Sequence, residues 1–181
     1  MVQIWSILAA SVLATTCTAS STLTSRPGYC YSVSNIRSAI FTPIARNAVQ
    51  SAINYLNQVA STPNDHITDS LGFTAQGGGN RHVKITVEIL KGGIISATET
   101  RSLFEEILSR VNGAGGVPQY IAGAVGGVDD STRSLMAASV YIDLFQGAQE
   151  LRMAKRDYPP KAGESIHSWC EDEEEEDKEL Y

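Results

Sequence analysis

The sequence predicts an α+β domain: an antiparallel sheet with two helices on one face, in the β-α-β-β-α-β order of a ferredoxin-like sandwich. Three observations carry this. Val83, Ile85, Val87 and Ile89 alternate with Lys84, Thr86 and Glu88, the period of a strand with one wet face. Ala45, Ala48, Val49, Ala52, Ile53, Leu56, Val59 and Ala60 recur at spacings of three and four, the stripe of an amphipathic helix. A second stripe of Leu103, Phe104, Ile107, Leu108 and Val111 follows the strand.

The chain has 181 residues, 43% of them hydrophobic, enough for one domain with a real core. Its net charge of −6 is unevenly spread. Residues 1–156 carry twelve basic and ten acidic side chains, residues 157–181 two basic and ten acidic. A nearly neutral body is joined to an acidic tail. No basic stripe with interleaved aromatics appears, so nucleic acid is not an expected partner.

Taken in order, Ile4–Ala14 is an apolar run followed by small residues through Ala19 and Ser20. That is the layout of a secretory signal peptide, residues 1–19, with cleavage expected near Ala19. No Lys or Arg precedes the run, and it is too short to span a bilayer comfortably, so stable membrane insertion is not expected. Cleavage removes Cys17 and leaves Cys30 and Cys170, an even pair able to form one disulfide in an oxidising compartment.

Tyr29–Val33 reads as a short strand. Thr42 is placed as N-cap of the first helix with Pro43 at its first position, and the helix runs to Ala60. Residues 61–79 read as a loop holding a short strand near Leu71–Thr74. For Lys91-Gly92-Gly93 the expectation is a hairpin turn. As a three-residue loop it opposes Ile89 to Ile95 and Val87 to Ala97, keeping apolar with apolar; a two-residue loop opposes Ile89 to Ser96. Ser102-Leu103-Phe104-Glu105 has capping-box spacing and opens the second helix, which Asn112-Gly113 closes. Val117–Val125 is a possible strand. Ser134–Phe145 alternates Met136, Ala138, Val140, Ile142 and Leu144 with other residues and reads as a strand, against a competing helix from Ser131.

The domain is expected over residues 20–156. The dibasic pair Lys155-Arg156 stands where the charge balance reverses and suits a processing endoprotease. Beyond it Tyr158-Pro159-Pro160 reads as a linker, and Glu171–Asp177 is an unbroken acidic run. The tail, residues 157–181, is expected to be disordered.

Sites of chemistry are sparse. His66, His82 and His167 share no metal-ligand spacing, no C-x-x-C occurs, and the glycine clusters lack the phosphate-loop pattern. No catalytic residue, cofactor or metal is expected. Asp65, His66 and Asp69 read as turn chemistry, and His82 as a strand-edge residue. Signal peptide, compact α+β body and dibasic junction resemble, in layout alone, the precursors of fungal killer toxins and effectors. The resemblance implies a secreted protein that binds an extracellular macromolecule. The competing expectations are a secreted hydrolase with a loop site near His66 and His82, and a self-assembling surface protein.

Overall fold

The computed structural model describes residues 24–113, 117–151 and 161–168. Ala19, Lys155, Arg156, Cys170 and the acidic run lie outside the described residues.

Thr24–Arg26 (β1) turns through Pro27-Gly28 into Tyr29–Ser38 (β2), and Thr42–Ala60 follows as the first helix (α1). Thr42 does not cap it. Phe41 holds the cap position with no side-chain bond, and Pro43 sits in the first turn. Proline removes one of the orphan N–H groups that a cap would serve, so the start tolerates an apolar cap. Thr42 Oγ1 is buried with no partner among the described residues. Six of the seven buried residues of α1, Ala45 to Leu56, belong to the stripe read from the sequence; Ile44 joins them, and Val59 and Ala60 are partly buried. Each large aliphatic among them contributes roughly 1.5–3 kcal/mol by leaving water.

The expected hairpin of residues 83–89 with 94–97 does not form. His66–Ile67 (β3) pairs Ile95–Ser96 (β6) in a separate two-stranded sheet. Leu71–Gly77 (β4) and Arg81–Ile89 (β5) are the true hairpin, closed by Gly78-Gly79-Asn80 with φ of 71° at Gly79 and 58° at Asn80. Glycine and asparagine are the residues that tolerate this left-handed backbone. Val87 therefore faces Leu71 on one side and Val140 on the other. The reason is length and occupancy. β4 has seven residues to offer β5, whereas Ser96 is engaged at a helix start.

That start precedes the expected one. The second helix is Ala97–Gly113 (α2), five residues earlier than a cap at Ser102. Ser102 lies inside it and donates its hydroxyl to the Thr98 carbonyl, 3.1 Å away. Ser96 Oγ accepts from the Glu99 N–H at 3.3 Å, so Ser96-Ala97-Thr98-Glu99 has the serine half of a capping box. Asp65 adds a cap from outside the helix. Its Oδ1 accepts the Thr98 N–H at 3.0 Å and its Oδ2 the Ser96 hydroxyl at 2.8 Å. Burial pushes the Asp65 carboxyl up, but the bonds from Ser96, Thr98 and the Ala97 backbone outweigh it and hold it below the usual carboxylate value. A depressed carboxyl stabilises above its unfolded pKa, near 4, and loses that contribution as pH falls through the folded value. Asp65→Ala is expected to cost about 1 kcal/mol, a fall of roughly 2–4 °C in melting temperature at this size. The deficit should disappear when the comparison is repeated in strong acid.

Val117–Gly126 (β7), Met136–Gln146 (β8) and the short Gln149–Glu150 (β9) complete the chain order, so residues 134–145 form the expected strand rather than the competing helix. The main sheet runs β1-β2-β7-β8-β5-β4 with β9 beside β8, and its strands pair antiparallel throughout. The architecture is α+β with an antiparallel sheet. It is not the ferredoxin-like order, in which the first and third strands are neighbours. Here β7 and β8, an adjacent pair of ten and eleven residues, stand together between β2 and β5.

Both long helices share one core with the sheet, including Tyr31, Val83, Ile85, Val87, Ile121 and Ile142. A smaller apolar cluster of Cys30, Leu90, Ala122, Ala124, Met136 and Ile166 forms separately. Ile166 reaches it from residues 161–168, which return to the body and pair by backbone. The Met136 N–H bonds the Glu164 carbonyl at 2.6 Å, Gly163 N–H the Met136 carbonyl at 2.9 Å, and Ile166 N–H the Ser134 carbonyl at 3.1 Å. Residues 161–168 are thus part of the fold and not of a disordered tail. Ile166 supplies the apolar burial that the charge-rich composition around it conceals.

Candidate functional site

One end of the molecule gathers most of its irregular backbone. The loop from Gly127 to Leu135 is stitched internally, Thr132 N–H to the Asp129 carbonyl at 2.9 Å and Gly127 N–H to the Thr132 carbonyl at 3.0 Å. The Gly126 N–H bonds the Gly28 carbonyl at 2.8 Å, tying this loop to the β1–β2 turn. Arg133 projects from the loop to form an ion pair with Glu99 in the first turn of α2, and lies 3.8 Å from Asp130. The negative charge of Glu99 also suits the positive end of the helix dipole. Gly28, with φ of 90°, lies against the Glu99 carboxylate with no room for a Cβ.

Two clefts flank the returning segment. One of about 440 Å³ is bordered by charged and polar residues, Ser25, Arg26, Asp130, Arg133 and His167 among them, with Gly28. Ser25 Oγ lies 2.7 Å from His167 Nδ1, so one hydrogen bond joins β1 to the returning segment. The Arg26 and Arg133 charges are matched by Glu106, Glu99 and Asp130, so this cleft offers no net cationic dock for an acidic peptide. The second cleft, about 220 Å³, is mainly apolar and is lined by residues including Gly92, Ile94, Val128, Leu135, Met136 and Ala162. Ile94 and Leu135 are 40% and 36% exposed, large apolar side chains left at the rim.

The histidines singled out from the sequence do not converge. His66 is exposed on β3 opposite Ser96. His82 stacks on Phe145 across β5 and β8, with ring centroids 4.5 Å apart and 3° between planes. Neither lines the clefts just described. Among the described residues no group of three His, Cys, Asp or Glu is placed to hold a metal ion, and no helix is long and apolar enough to cross a membrane. The sequence carries no sign of the Ser25–His167 pair. The two residues are 142 positions apart, and no local motif surrounds either.

Cys30 is fully buried, its Sγ 2.6 Å from the Ile166 carbonyl oxygen. The other residues that the sequence points to, Ala19, Lys155, Arg156 and Cys170, fall outside the described residues.

No protein-family model, curated protein or solved structure matches the chain.

Proposed function

We propose that this is a secreted protein, toxin-like or effector-like in organisation, that acts by binding another extracellular macromolecule through the Gly92–Ile94 and Gly127–Leu135 end. The observation that carries the reading is the apolar cleft with Ile94 and Leu135 exposed at its rim. Beside it stands a cleft bordered by paired charges. An apolar centre with a polar surround is the anatomy of a protein-binding patch, in which a few apolar residues supply most of the affinity. Secretion is supported by the apolar leader ending near Ala19, and processing by Lys155-Arg156 at the charge boundary. A Cys30–Cys170 disulfide is part of the same proposal, supported by the burial of Cys30 and its closeness to Ile166, four residues before Cys170.

A photo-reactive amino acid at position 94, in protein applied to intact target cells, is expected to form one discrete crosslinked species. The same group at the exposed Asn54 of α1 is expected to give none. Equal crosslinking from both positions would remove the assignment.

A hydrolase reading retains one observation, the Ser25–His167 pair. Acyl transfer needs the histidine to take the serine proton and a third group to orient the ring. The acid that lines the same cleft, Asp130, is fully exposed and sits beside Arg133. A fluorophosphonate probe decides: the binding reading expects no adduct on Ser25.

A further inference from the structure

The main sheet ends on two edges of different character. At one, β1 has three residues and runs into Pro27, a short edge with little to offer a partner. At the other, β4 has seven residues and pairs only with β5 among the described residues. In an antiparallel edge strand alternate N–H and C=O groups point away from the neighbouring strand. Proteins guard such a row with lysine, proline, a bulge or brevity. β4 has none of these. Its sequence is Leu-Gly-Phe-Thr-Ala-Gln-Gly, and its register with β5 runs unbroken from Leu71–Val87 to Gly77–Arg81.

Side chains beside the edge are apolar or neutral. Leu71, Phe73 and Ala75 pack on the core but stay only partly buried, while Gly72, Thr74 and Gln76 are exposed. On β5, one strand further in, Val83, Ile85 and Val87 are fully buried. The apolar row is therefore left incompletely covered where the sheet stops. The Phe73 ring lies 5.7 Å from the ring of Tyr55 on α1, and Tyr55 is 40% exposed. Ser51, Tyr55 and Gln58 form one exposed row of that helix, spaced by four and three residues. The single charge of α1, Arg46, is turned toward α2, where its Nε donates to Asn112 Oδ1 at 2.7 Å. Charge depletion with an exposed aromatic residue is the composition of an interface centre.

We infer that a second copy of this chain adds to this edge, β4 against β4, about a two-fold axis at Thr74. A two-fold contact must be complementary to itself, and a strand without charge sets no like charges together. Opposed residues of an antiparallel pair share a face of the sheet. The register that uses the whole strand sets Leu71 against Gly77, Gly72 against Gln76, Phe73 against Ala75, and Thr74 against its own copy. The apolar row then continues across the axis. Gln76 lies over Gly72, where added atoms meet open space. The ends match in charge as well. Asp69, exposed two residues before β4, comes beside the second copy's Gly78–Asn80 turn, on which the Arg81 guanidinium rests, its Nη1 3.2 Å from the Gly78 carbonyl oxygen. No β4 residue lines either cleft, so the inference does not depend on the binding proposal.

Sedimentation equilibrium of the full chain is expected to show a dimer. A monomer at all concentrations up to about 100 μM overturns the inference, and leaves the edge to an extended peptide of another protein. Thr74→Glu sets two carboxylates against each other at the axis, while inside each copy position 74 stays opposite Lys84. It is expected to weaken the dimer about tenfold or more, with circular dichroism unchanged. Thr74→Cys is expected to oxidise to a disulfide between copies, because opposed Cα atoms lie about 4.5–5.5 Å apart, within disulfide reach. Gln76→Cys, opposite Gly72, is expected to give no 76–76 peptide. A dimer that survives Thr74→Glu at full strength, or that yields no 74–74 peptide from Thr74→Cys, uses another surface and overturns the inference. Should Thr74→Glu fail to fold, the two cysteine variants decide. None of these readouts reports on Ile94 or Leu135, so failure here is distinct from failure of the binding proposal.

Discussion

Glu106→Ala is expected to destabilise the protein by about 2–3 kcal/mol and to bring the Tyr29 hydroxyl back toward an ordinary phenol. One carboxylate holds three groups. Glu106 Oε1 accepts from Tyr29 OH at 2.9 Å and Arg26 Nε at 3.1 Å, and Oε2 accepts from Tyr31 OH at 3.3 Å. Arg110 then donates to Tyr31 OH at 2.7 Å and to Thr24 Oγ1 at 2.6 Å, with its guanidinium 5.4 Å from the Tyr31 ring centroid. The Arg26 side chain is 58% exposed, so that ion pair adds little by itself. The effect comes from the tyrosine hydroxyls bonded to a charged acceptor, a class of bond whose net contribution is roughly 1.5–3 kcal/mol. Burial raises the Tyr29 hydroxyl first, and the bond to Glu106 and its charge add to this, pushing it up to about 12. A raised phenol stabilises the fold fully below its unfolded pKa of about 10. That contribution drains away as pH rises toward 12. Phenolate absorbance should therefore show one late-titrating tyrosine whose midpoint falls in Glu106→Gln, though not fully, since burial remains. An unchanged titration with unchanged stability would show that the network is incidental.

Gly93→Ala is expected to cost about 2–3 kcal/mol, more than Gly92→Ala, although Gly92 has the unusual backbone. Gly92 has φ of 77°, but a methyl added there meets open space, so alanine faces only the left-handed penalty of about 1–2 kcal/mol. At Gly93 a methyl would run into the backbone carbonyl of Ala137. Neither partner can rotate away: the Gly93 N–H is bonded to the Leu90 carbonyl at 2.7 Å, and that same Ala137 carbonyl accepts the Leu90 N–H at 3.0 Å. The strand or the entry to α2 must shift, an overpacking penalty of the size seen when cores are overfilled. Urea midpoints of the two variants test the order, and a larger loss for Gly92→Ala would overturn it. Because Gly93 lines the apolar cleft, its alanine variant should also weaken crosslinking from position 94.

Repeating side chains make the regular elements readable. The α1 stripe, the alternation of β5 and the alternation of β8 each report a period set by local geometry, and each element is present where that period occurs. Pairing is not readable in the same way, because strand neighbours are chosen by competition across the whole chain. Matching polarity pairs Val87 with Ala97, yet Leu71 and Val140 take the two sides. Ser102-Leu103-Phe104-Glu105 has the spacing of a helix start, while the working cap draws on Asp65, more than thirty residues upstream. The candidate site is least legible of all. Its charge-rimmed cleft joins Ser25, Arg133 and His167, which lie far apart in the sequence, and a single Ile166 among charged and small neighbours gives no period to detect.

The way residues 163–166 are held has a consequence for variation. Their anchoring bonds run from main chain to main chain, and side-chain identity enters chiefly through Ile166 in its apolar niche. Lineages of this protein, or an engineer, are free to exchange the letters at Glu164 and Ser165, while Gly163, with φ of 83°, and Ile166 stay. That short surface turn is thus a place where sequence can drift without redrawing the scaffold that bears it.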